Sequence, residues 1–442
     1  MSIRSTVAAT AVGAVLVWSP AVDWVTAAGA TGTFDDIIID NTSTFERIVP
    51  IGTGHADDVD GVTYTVYREA FSNRPWLHVR NTASGASSHV SLPAPDPTWS
   101  DWYKASYEVV GDELWMISGD GPVTVRRWGL SGGPLPTDAT LEADDVFGDA
   151  DSRAGDLTVL DDGSVVAVWH QQGNLGPQGL HIARWAPATG WTQLPQVSFL
   201  SSRASHQQVV QHPDDGSVWL FHVPDAWGSI GAVHLTPTAV GGLTIDWTDG
   251  SFIGSQLGDA DADPEHAFIS AVPDPVRGEI VLGYQSSVRQ VFSISPWVVG
   301  SRPAVARIAA DGTLVTSIAP VWVERSLPLH VSIDGDTVWV DGRLIDEASL
   351  TYDDLVAIAL RPGGWDTPVL LMTMADGDGA SVASPTTLSF VAVAADYKLH
   401  ARVVPTNDEP DSTISTTEPT STKKGGRTQN KPGGFGKGGK KK

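Results

Sequence analysis

The chain has 442 residues, of which 41 % are hydrophobic, so it is long enough to bury the core of one large domain or two ordinary ones. Its 45 glycines and 29 prolines recur at strand-length intervals and helical periodicity is scarce, a pattern typical of an all-β fold. Before Thr406 the chain carries 20 Lys and Arg against 48 Asp and Glu, a net charge of −28 that argues against nucleic acid as its ligand, and it has no cysteine for disulfides or thiolate metal sites.

The first 30 residues have the three parts of a secretory signal peptide. Arg4 precedes an apolar segment over 5–18, and small residues follow at 28–30. We therefore expect residues 1–30 to be removed and the protein to be secreted or held at the cell surface. The alternative is a hydrophobic leader on a virion or cytoplasmic protein, and the sequence does not separate a cellular from a viral origin.

Residues 31–405 repeat a pattern of short strands about every 50 to 60 residues. The units open near His55, Ser106, Asp156, His206, His266, His330 and Ser384. Repetition of this kind predicts an all-β β-propeller, with seven blades of four antiparallel strands, and six or eight blades are the alternatives. We expect the strand-like segment over 35–50 to pair into the last blade and close the ring, and we expect a monomer.

Two further patterns support short, packed strands. Asp-Gly pairs, which are strong hairpin signals because glycine accepts a positive φ easily, begin at Asp162, Asp215, Asp311 and Asp334. Tryptophans recur late in the strands, which favours packing between blades over stacking on sugars; they are Trp115, Trp169, Trp219 and Trp339.

Equivalent ends of the repeats should share one rim. In a propeller blade the innermost strand and the next strand are antiparallel, so the start of the first meets the end of the second. The repeat phase then predicts contacts between three sets of residues: His206 with His222, Asp156 with His170, and both Glu265 and His266 with Tyr284. At the same phase stand His55 and His330, and the loops leading into the inner strands add Arg153, Arg203 and Arg325.

Such a rim would suit an acidic sugar. Arginine offers a rigid bidentate fork to a carboxylate, and histidine and tyrosine can move protons. For any single histidine the alternative is a structural role between strands or loops.

Metal binding is a weaker prediction. The acidic loops 149–151 and 259–263 could coordinate calcium through carboxylate oxygens, but neither has the spacing of an EF-hand. Clustered histidines could also hold zinc. We assign no metal ligand and no cofactor, with calcium as the alternative.

Two segments carry a resemblance to a known family. PDDGSVWLFH over 213–222 and IDGDTVWV over 333–340 resemble degenerate Asp-box repeats. With His206 before it, the first of these segments is similar to BNR-repeat propellers of the sialidase-like superfamily, including propeller polysaccharide lyases. The complete Asp-box is never met, and the early Arg-Ile-Pro motif of sialidases is only approximated by RIVP over 47–50.

The resemblance implies a carbohydrate-active protein. In such lyases a tyrosine or histidine removes the proton next to a uronate carboxylate, and an arginine or histidine neutralises that carboxylate. Carried over to this chain, these roles fall on His206, His222, Tyr284 and Arg203.

The C-terminal segment, 406–442, is predicted to be disordered. It begins rich in Ser, Thr, Pro and Glu and ends basic and glycine-rich. Its basic end could contact an anionic envelope polymer or remain solvated.

The first hypothesis for the whole chain is an exported propeller that binds and cleaves an acidic polysaccharide, as a lyase or a glycosidase. The alternatives are a non-enzymatic glycan- or receptor-binding propeller, such as a surface adhesin or virion tail component, and a scaffold for protein partners.

Overall fold

A computed structural model gives the fold of the chain. The chain divides into two units, Met1–Thr406 and Asn407–Lys442, and every residue described below belongs to the first. The structure describes 48–50, 57–59, 61–69, 75–81, 84–93, 105–119, 121–150, 152–171, 179–198, 204–224, 229–238, 241–253, 269–290, 299–321, 323–324, 329–345, 352–373, 375–384, 387–394 and 399–405.

The described residues form β-strands in six antiparallel sheets, which confirms the all-β propeller. Sheet 1 contains β1 (Ile48–Pro50), β2 (Asp57–Val59), β3 (Val62–Glu69), β4 (Pro75–Asn81) and β5 (Ser87–Ser91). Sheet 2 contains β6 (Ala105–Val110), β7 (Glu113–Ser118), β8 (Val123–Ser131) and β9 (Asp138–Phe147). Sheet 3 contains β10 (Ser152–Val159), β11 (Val165–Gln171), β12 (Gly179–Ala186), β13 (Gly190–Gln193) and β14 (Val197–Ser198).

The second half of the chain forms the other three sheets. Sheet 4 contains β15 (Ala204–Gln211), β16 (Val218–Pro224), β17 (Ile230–Pro237) and β18 (Leu243–Ile253). Sheet 5 contains β19 (Ile269–Asp274), β20 (Glu279–Gln290), β21 (Val299–Ala309), β22 (Leu314–Ile318), β23 (Val323–Glu324), β24 (Val331–Asp334), β25 (Thr337–Ile345), β26 (Tyr352–Arg361), β27 (Gly364–Trp365) and β28 (Val369–Thr373). Sheet 6 contains β29 (Ala375–Ser384), β30 (Thr387–Ala394) and β31 (Leu399–Pro405). No helix of the described residues is long and apolar enough to span a membrane.

Counted as hydrogen-bonded sheets, the propeller has six blades, and the predicted seven is wrong. The difference lies in sheet 5, which has ten strands and combines the predicted fifth and sixth repeat units. The short strand β23 pairs with β21 on one side and with β25 on the other, and this pairing joins the two units.

The predicted closure of the ring is corrected for Ile48–Pro50, whereas residues 35–47 of the predicted closing segment lie outside the described residues. Within the described residues, β1 pairs with β3 of the first sheet rather than with a strand of the last. The reason lies in the length of β3, because β2 covers only Val62 to Tyr64 and leaves the rest of that edge unpaired. β1 pairs with the remaining stretch, Tyr67 to Glu69, and satisfies backbone groups that would otherwise lack partners.

Apolar side chains fill the spaces between neighbouring sheets. Between sheets 3 and 4, alternate residues of the second strands turn inward, among them Val166, Val168, Val218 and Leu220. The recurring tryptophans are buried as well, with Trp115 at 3 %, Trp169 at 1 %, Trp219 at 0 % and Trp339 at 8 % exposure. Their predicted role in packing between blades is confirmed for Trp115, Trp169 and Trp219, which belong to apolar clusters shared by two sheets.

Side-chain hydrogen bonds join successive inner strands around the axis. Glu108 Oε2 accepts from the Val159 N–H at 2.7 Å, and Asp156 Oδ2 accepts from the Val209 N–H at 2.7 Å. Gln208 Oε1 accepts from the Ala271 N–H at 3.2 Å, and Ser270 Oγ accepts from the Val331 N–H at 3.2 Å. Each bond supplies a backbone N–H of one inner strand with an acceptor from the strand before it.

Asp156 is the most buried carboxyl group in this chain of bonds and makes stability depend on pH. It is 2 % exposed and also accepts a hydrogen bond from the Ser106 hydroxyl. Burial raises the pKa of Asp156 from 3.8 to about 7. Because the folded-state pKa lies above the unfolded value, its contribution to stability is fully present below pH 3.8 and is lost as the pH rises to about 7.

Asp156→Asn should therefore remove a decline in the free energy of unfolding between about pH 4 and pH 7. The amide keeps an acceptor for the Val209 N–H and a polar group for Ser106, so the fold should survive. Urea unfolding at a series of pH values measures the effect. An equal pH dependence in the variant and the unchanged protein would contradict it.

Candidate functional site

The start of the inner strand and the end of the second strand meet at one rim in sheets 3 and 4, as the repeat phase predicted. In sheet 3, Arg153 stands opposite His170. In sheet 4, Gln207 stands opposite His222, and His206 directly precedes Gln207. The predicted neighbours His206 and His222 therefore lie at the same end of sheet 4.

The predicted contact of Asp156 with His170 is wrong by two residues. Asp156 pairs with Val168, two residues farther from the rim than His170, and its carboxyl group is directed to Ser106 and Val209. Arg153 takes the position opposite His170 instead. Asp156 thus joins three inner strands and is not placed to contact a ligand at the rim.

A β-bulge occurs at the same place in β10 and β15 and explains the shift. The extra residue is Gly155 in one strand and His206 in the other. At Gly155 a β-carbon would stand 2.6 Å from Gln207 Oε1 and 2.8 Å from the Val168 carbonyl oxygen, so only glycine fits.

His206 has a left-handed backbone, with φ at 48°, and is the one non-glycine residue with positive φ in the described part of the chain. This conformation costs on the order of 1–3 kcal/mol for a residue with a β-carbon. The side chain is half-buried. Sequence order predicted that His206 lies at the rim but gave no signal of this backbone strain.

His170 and His222 extend into the space between sheets 3 and 4. His170 continues the inward row of Val166 and Val168, and His222 continues the row of Val218 and Leu220. Gln207 connects the two sheets, because its Oε1 lies 3.3 Å from His170 Nδ1. Since an amide oxygen only accepts, Nδ1 of His170 is the donor.

His222 is an uncharged imidazole at neutral pH. It is 0 % exposed, and burial lowers its pKa to about 4. The ring packs over Gly231 on the adjacent strand, where a β-carbon would collide with His222 Nε2. Gly155 and Gly231 therefore provide the space that Gln207 and His222 occupy.

Arg153 is held at the rim by a tight turn. Its Nη1 donates to the Ser152 carbonyl oxygen at 2.8 Å, and the side chain is half-buried. Two hydrogen bonds stabilise the turn. The Ser152 N–H donates to the Asp149 carbonyl oxygen at 3.0 Å, and Gln171 Nε2 donates to Asp149 Oδ2 at 2.7 Å. No group of three or more potential metal ligands occurs among the described residues, and Asp149 of the predicted calcium loop makes these protein contacts.

The fifth sheet holds two more predicted site residues, and both are buried. Tyr284 is 1 % exposed within an apolar cluster that includes Phe221 and Ile253, and burial raises its pKa to about 12. His330 and Asp341 form a buried pair, with Nδ1 and Oδ2 at 3.1 Å and the His330 N–H on Asp341 Oδ1 at 2.7 Å.

Five predicted site residues lie outside the described residues, and their roles stay predictions: His55, Arg203, Glu265, His266 and Arg325. The sequence did not predict Gln207 as a site residue, because a neutral amide neither titrates nor carries charge and a histidine stands directly before it. Its position directly after the rim histidine is the signal that could have identified it.

Comparisons with known proteins show a weak structural similarity. No protein-family model matches the chain, and no curated protein matches it. Among solved structures, the polysaccharide lyase Uly1 is 11 % identical with a TM-score of 0.47, and the match covers 79 % of this chain and 89 % of that one. Sialidase Hz136 from a Hadza microbial source is 12 % identical with a TM-score of 0.43, covering 72 % of this chain and 66 % of that one.

A third match is a PL25 ulvan lyase bound to -[GlcA(1-4)Rha3S]-, which is 11 % identical with a TM-score of 0.39, covering 82 % of this chain and 86 % of that one. These matches confirm the predicted resemblance to propeller polysaccharide lyases and sialidases, at the weak level expected. With all TM-scores below 0.5, the activities of these proteins are not transferred to this chain.

The strained backbone of His206 predicts that the usual order of stability of alanine and glycine variants is reversed at this position. His206→Gly should be more stable than His206→Ala by about 1 kcal/mol, because glycine adopts the left-handed conformation without a steric penalty. Urea unfolding measures the difference. The matched control is His181 in β12, also half-buried, where the alanine variant should be the more stable. The same order of stability at both positions would contradict the left-handed backbone conformation of His206.

Proposed function

We propose that this protein is a secreted propeller that binds an acidic polysaccharide at the rim of sheets 3 and 4 and cleaves it. The observation that carries the proposal is the strained backbone of His206. Strain of this kind is concentrated at functional sites, and here it sets a half-buried histidine beside His222 on the rim that also presents Arg153.

The residues at the rim suit elimination at a uronate. The Arg153 guanidinium would bind the carboxylate and stabilise the charge that develops beside it. The His206 imidazole would take the proton from the carbon next to that carboxylate. The bond from the neighbouring carbon to the glycosidic oxygen then breaks and a carbon–carbon double bond forms. The departing oxygen takes up a proton from solvent water, and His206 later returns its proton to solvent.

The buried groups behind His206 would position it. Gln207 is bonded to His170 and packed beside Gly155, so the backbone at residue 206 has little freedom. His222 is uncharged and adds no positive charge beside Arg153. Tyr284, one of the predicted catalytic residues, takes no part in this proposal because it is packed in an apolar core.

A second candidate function is recognition of a glycan without cleavage. The burial of His222 and Tyr284 favours it, since two of the four predicted catalytic side chains are withdrawn from solvent. A surface adhesin or a virion tail component would need only the rim contacts.

Further parts of the proposal concern the ends of the chain. Secretion depends on the predicted signal peptide over 1–30, and contact with an anionic envelope polymer depends on the basic tail within 406–442. Both segments lie outside the described residues. The monomeric state also remains a proposal.

Incubation with a panel of uronate polymers tests the activity. Cleavage by elimination produces a double bond conjugated to the carboxylate, which absorbs in the ultraviolet. His206→Ala should lower the rate by roughly 100-fold or more while binding, measured by calorimetry, is retained. Arg153→Met should weaken binding by roughly tenfold to 100-fold through loss of a charged hydrogen bond.

The control is His234→Ala, on the outer strand pair of sheet 4, which should leave both binding and cleavage unchanged. Binding without cleavage of any polymer would favour the second candidate. Absence of binding to every polymer would overturn both.

A further inference from the structure

Trp247 is the one exposed tryptophan among the described residues, and it lies on the outer edge of sheet 4. It is 36 % exposed, whereas the other described tryptophans are buried or half-buried. It belongs to β18, which pairs with β17 and has no strand on its outer side in the described part of the chain. The indole and the edge of the strand are therefore both accessible to a partner.

Other aromatic rings hold this indole in place. The His234 imidazole is stacked with it, at 5.4 Å between centroids and 4° between planes. The Trp219 ring meets it edge-on at 5.2 Å, and the Phe252 ring lies 5.9 Å away. Because the indole is already oriented, a partner that binds it would cost little side-chain freedom.

The equivalent position of sheet 2 shows which group complements such a ring. The residue opposite Trp115 in sheet 2 is Arg127, and the residue opposite Trp219 in sheet 4 is His234. The Arg127 guanidinium lies 5.3 Å from the ring centroids of both Trp115 and Trp185. In sheet 2 the protein thus places its own cation against the faces of two indoles.

An acidic residue accompanies this position in both sheets. The outer strand has a β-bulge there, and the extra residue is Glu142 in sheet 2 and Asp246 in sheet 4. Glu142 Oε2 lies 3.3 Å from Arg127 Nε, and Asp246 Oδ2 lies 2.8 Å from His234 Nδ1. The two sheets therefore share the indole and the carboxylate but differ in the basic residue between them.

Sheet 4 has no lysine or arginine to occupy the corresponding place. Neither residue type occurs between Arg203 and Arg277, a segment that contains ten Asp and Glu. Among the described residues, Trp247 contacts only aromatic rings, and no Lys or Arg pairs with Asp246 or Asp249. The edge is acidic and aromatic, and its complement is a cation from outside sheet 4.

Two carboxylates beside the indole keep an oxygen for such a cation. Asp246 Oδ2 accepts from the Thr236 hydroxyl at 2.6 Å and is the same oxygen that lies beside His234. Asp249 Oδ1 accepts from the Ser251 N–H at 2.8 Å. Within the described residues the second oxygen of each carboxylate makes no such bond.

We propose that the outer edge of β18 is a docking site for an extended segment of a basic polypeptide, with a Lys or Arg side chain of that segment over Trp247. Trp247 and Asp249 stand opposite His234 and Ala232, so they share one face of the sheet. Two basic side chains at alternate positions of an added strand would reach the indole and the carboxylate. The backbone groups on the outer edge of β18 would bond the added strand. The site does not depend on cleavage at the rim of sheets 3 and 4.

Fluorescence anisotropy with the full chain tests the site. The probe is the peptide Arg-Thr-Arg-Thr-Arg, capped at both ends and carrying a neutral fluorophore, in about 0.15 M sodium chloride to screen general attraction to the acidic protein. It should bind saturably, and the same peptide with glutamate in place of arginine should not bind. With proline in place of threonine, binding should be roughly tenfold weaker, because proline has no backbone N–H to donate.

Variants locate the binding on β18. Trp247→Leu keeps an apolar side chain without an indole and should weaken peptide binding by roughly threefold to 30-fold. Asp249→Asn should weaken it by roughly twofold to fivefold. The matched controls are Trp191→Leu on the outer part of sheet 3 and Asp138→Asn on the outer strand of sheet 2, and both should bind like the unchanged protein.

Several results would overturn the proposal. They are equal peptide binding by Trp247→Leu, Asp249→Asn and the unchanged protein, equal binding of the proline peptide, and displacement of the peptide by cellopentaose, which would make the indole a platform for neutral sugars. Urea unfolding checks that each variant is folded, and Asp249→Asn alters only an exposed side chain. His206→Ala should leave peptide binding unchanged, so failure at the rim and failure here are distinguishable.

Discussion

The structure depends on how the inner strands satisfy their backbone N–H groups. Each inner strand has a hydrogen-bonded neighbour on only one side within its own sheet, and the strands of adjacent sheets diverge. Side chains of Glu108, Asp156, Gln208 and Ser270 supply acceptors to the next inner strand. These bonds fix both the spacing and the axial register of neighbouring sheets. The residues at the rim are positioned by the same bonds. Asp156 lies three residues after Arg153, and Gln208 lies one residue after Gln207.

The same constraint explains what the sequence could and could not predict. In sheets 3 and 4 the repeat phase correctly placed the start of the inner strand beside the end of the second strand, since strand direction alone decides which ends meet. The repeat phase does not predict the direction of the Asp156 side chain. A polar residue at the start of a strand can contact a ligand, or it can accept a hydrogen bond from the next strand. The bulges at Gly155 and His206 each shift the pairing by one residue, and a shift of one residue changes every contact that follows. Gly155 gave a weak signal of its bulge, whereas His206 gave none.

The predicted number of blades was wrong for a different reason. The two-residue strand β23 is too short to be recognised by any periodicity, yet its pairing unites ten strands in one sheet. Residues 62–69 (VTYTVYRE) alternate between two faces of a strand, but only the core shared with sheet 2 shows which half of the pattern turns toward that neighbour. Local pattern thus predicts strands and turns well, while the partners of a buried polar group depend on contacts distant in sequence.

The position of β1 has a mechanical consequence. In the described part of the chain no strand ladder crosses from sheet 1 to sheet 6, because β1 completes the edge of β3 and only lies beside β29. Among the described residues, backbone pairing therefore does not join sheet 1 to sheet 6. Because neighbouring sheets without a shared strand ladder separate more easily than paired strands, this junction is where we expect the ring to open first under mechanical load.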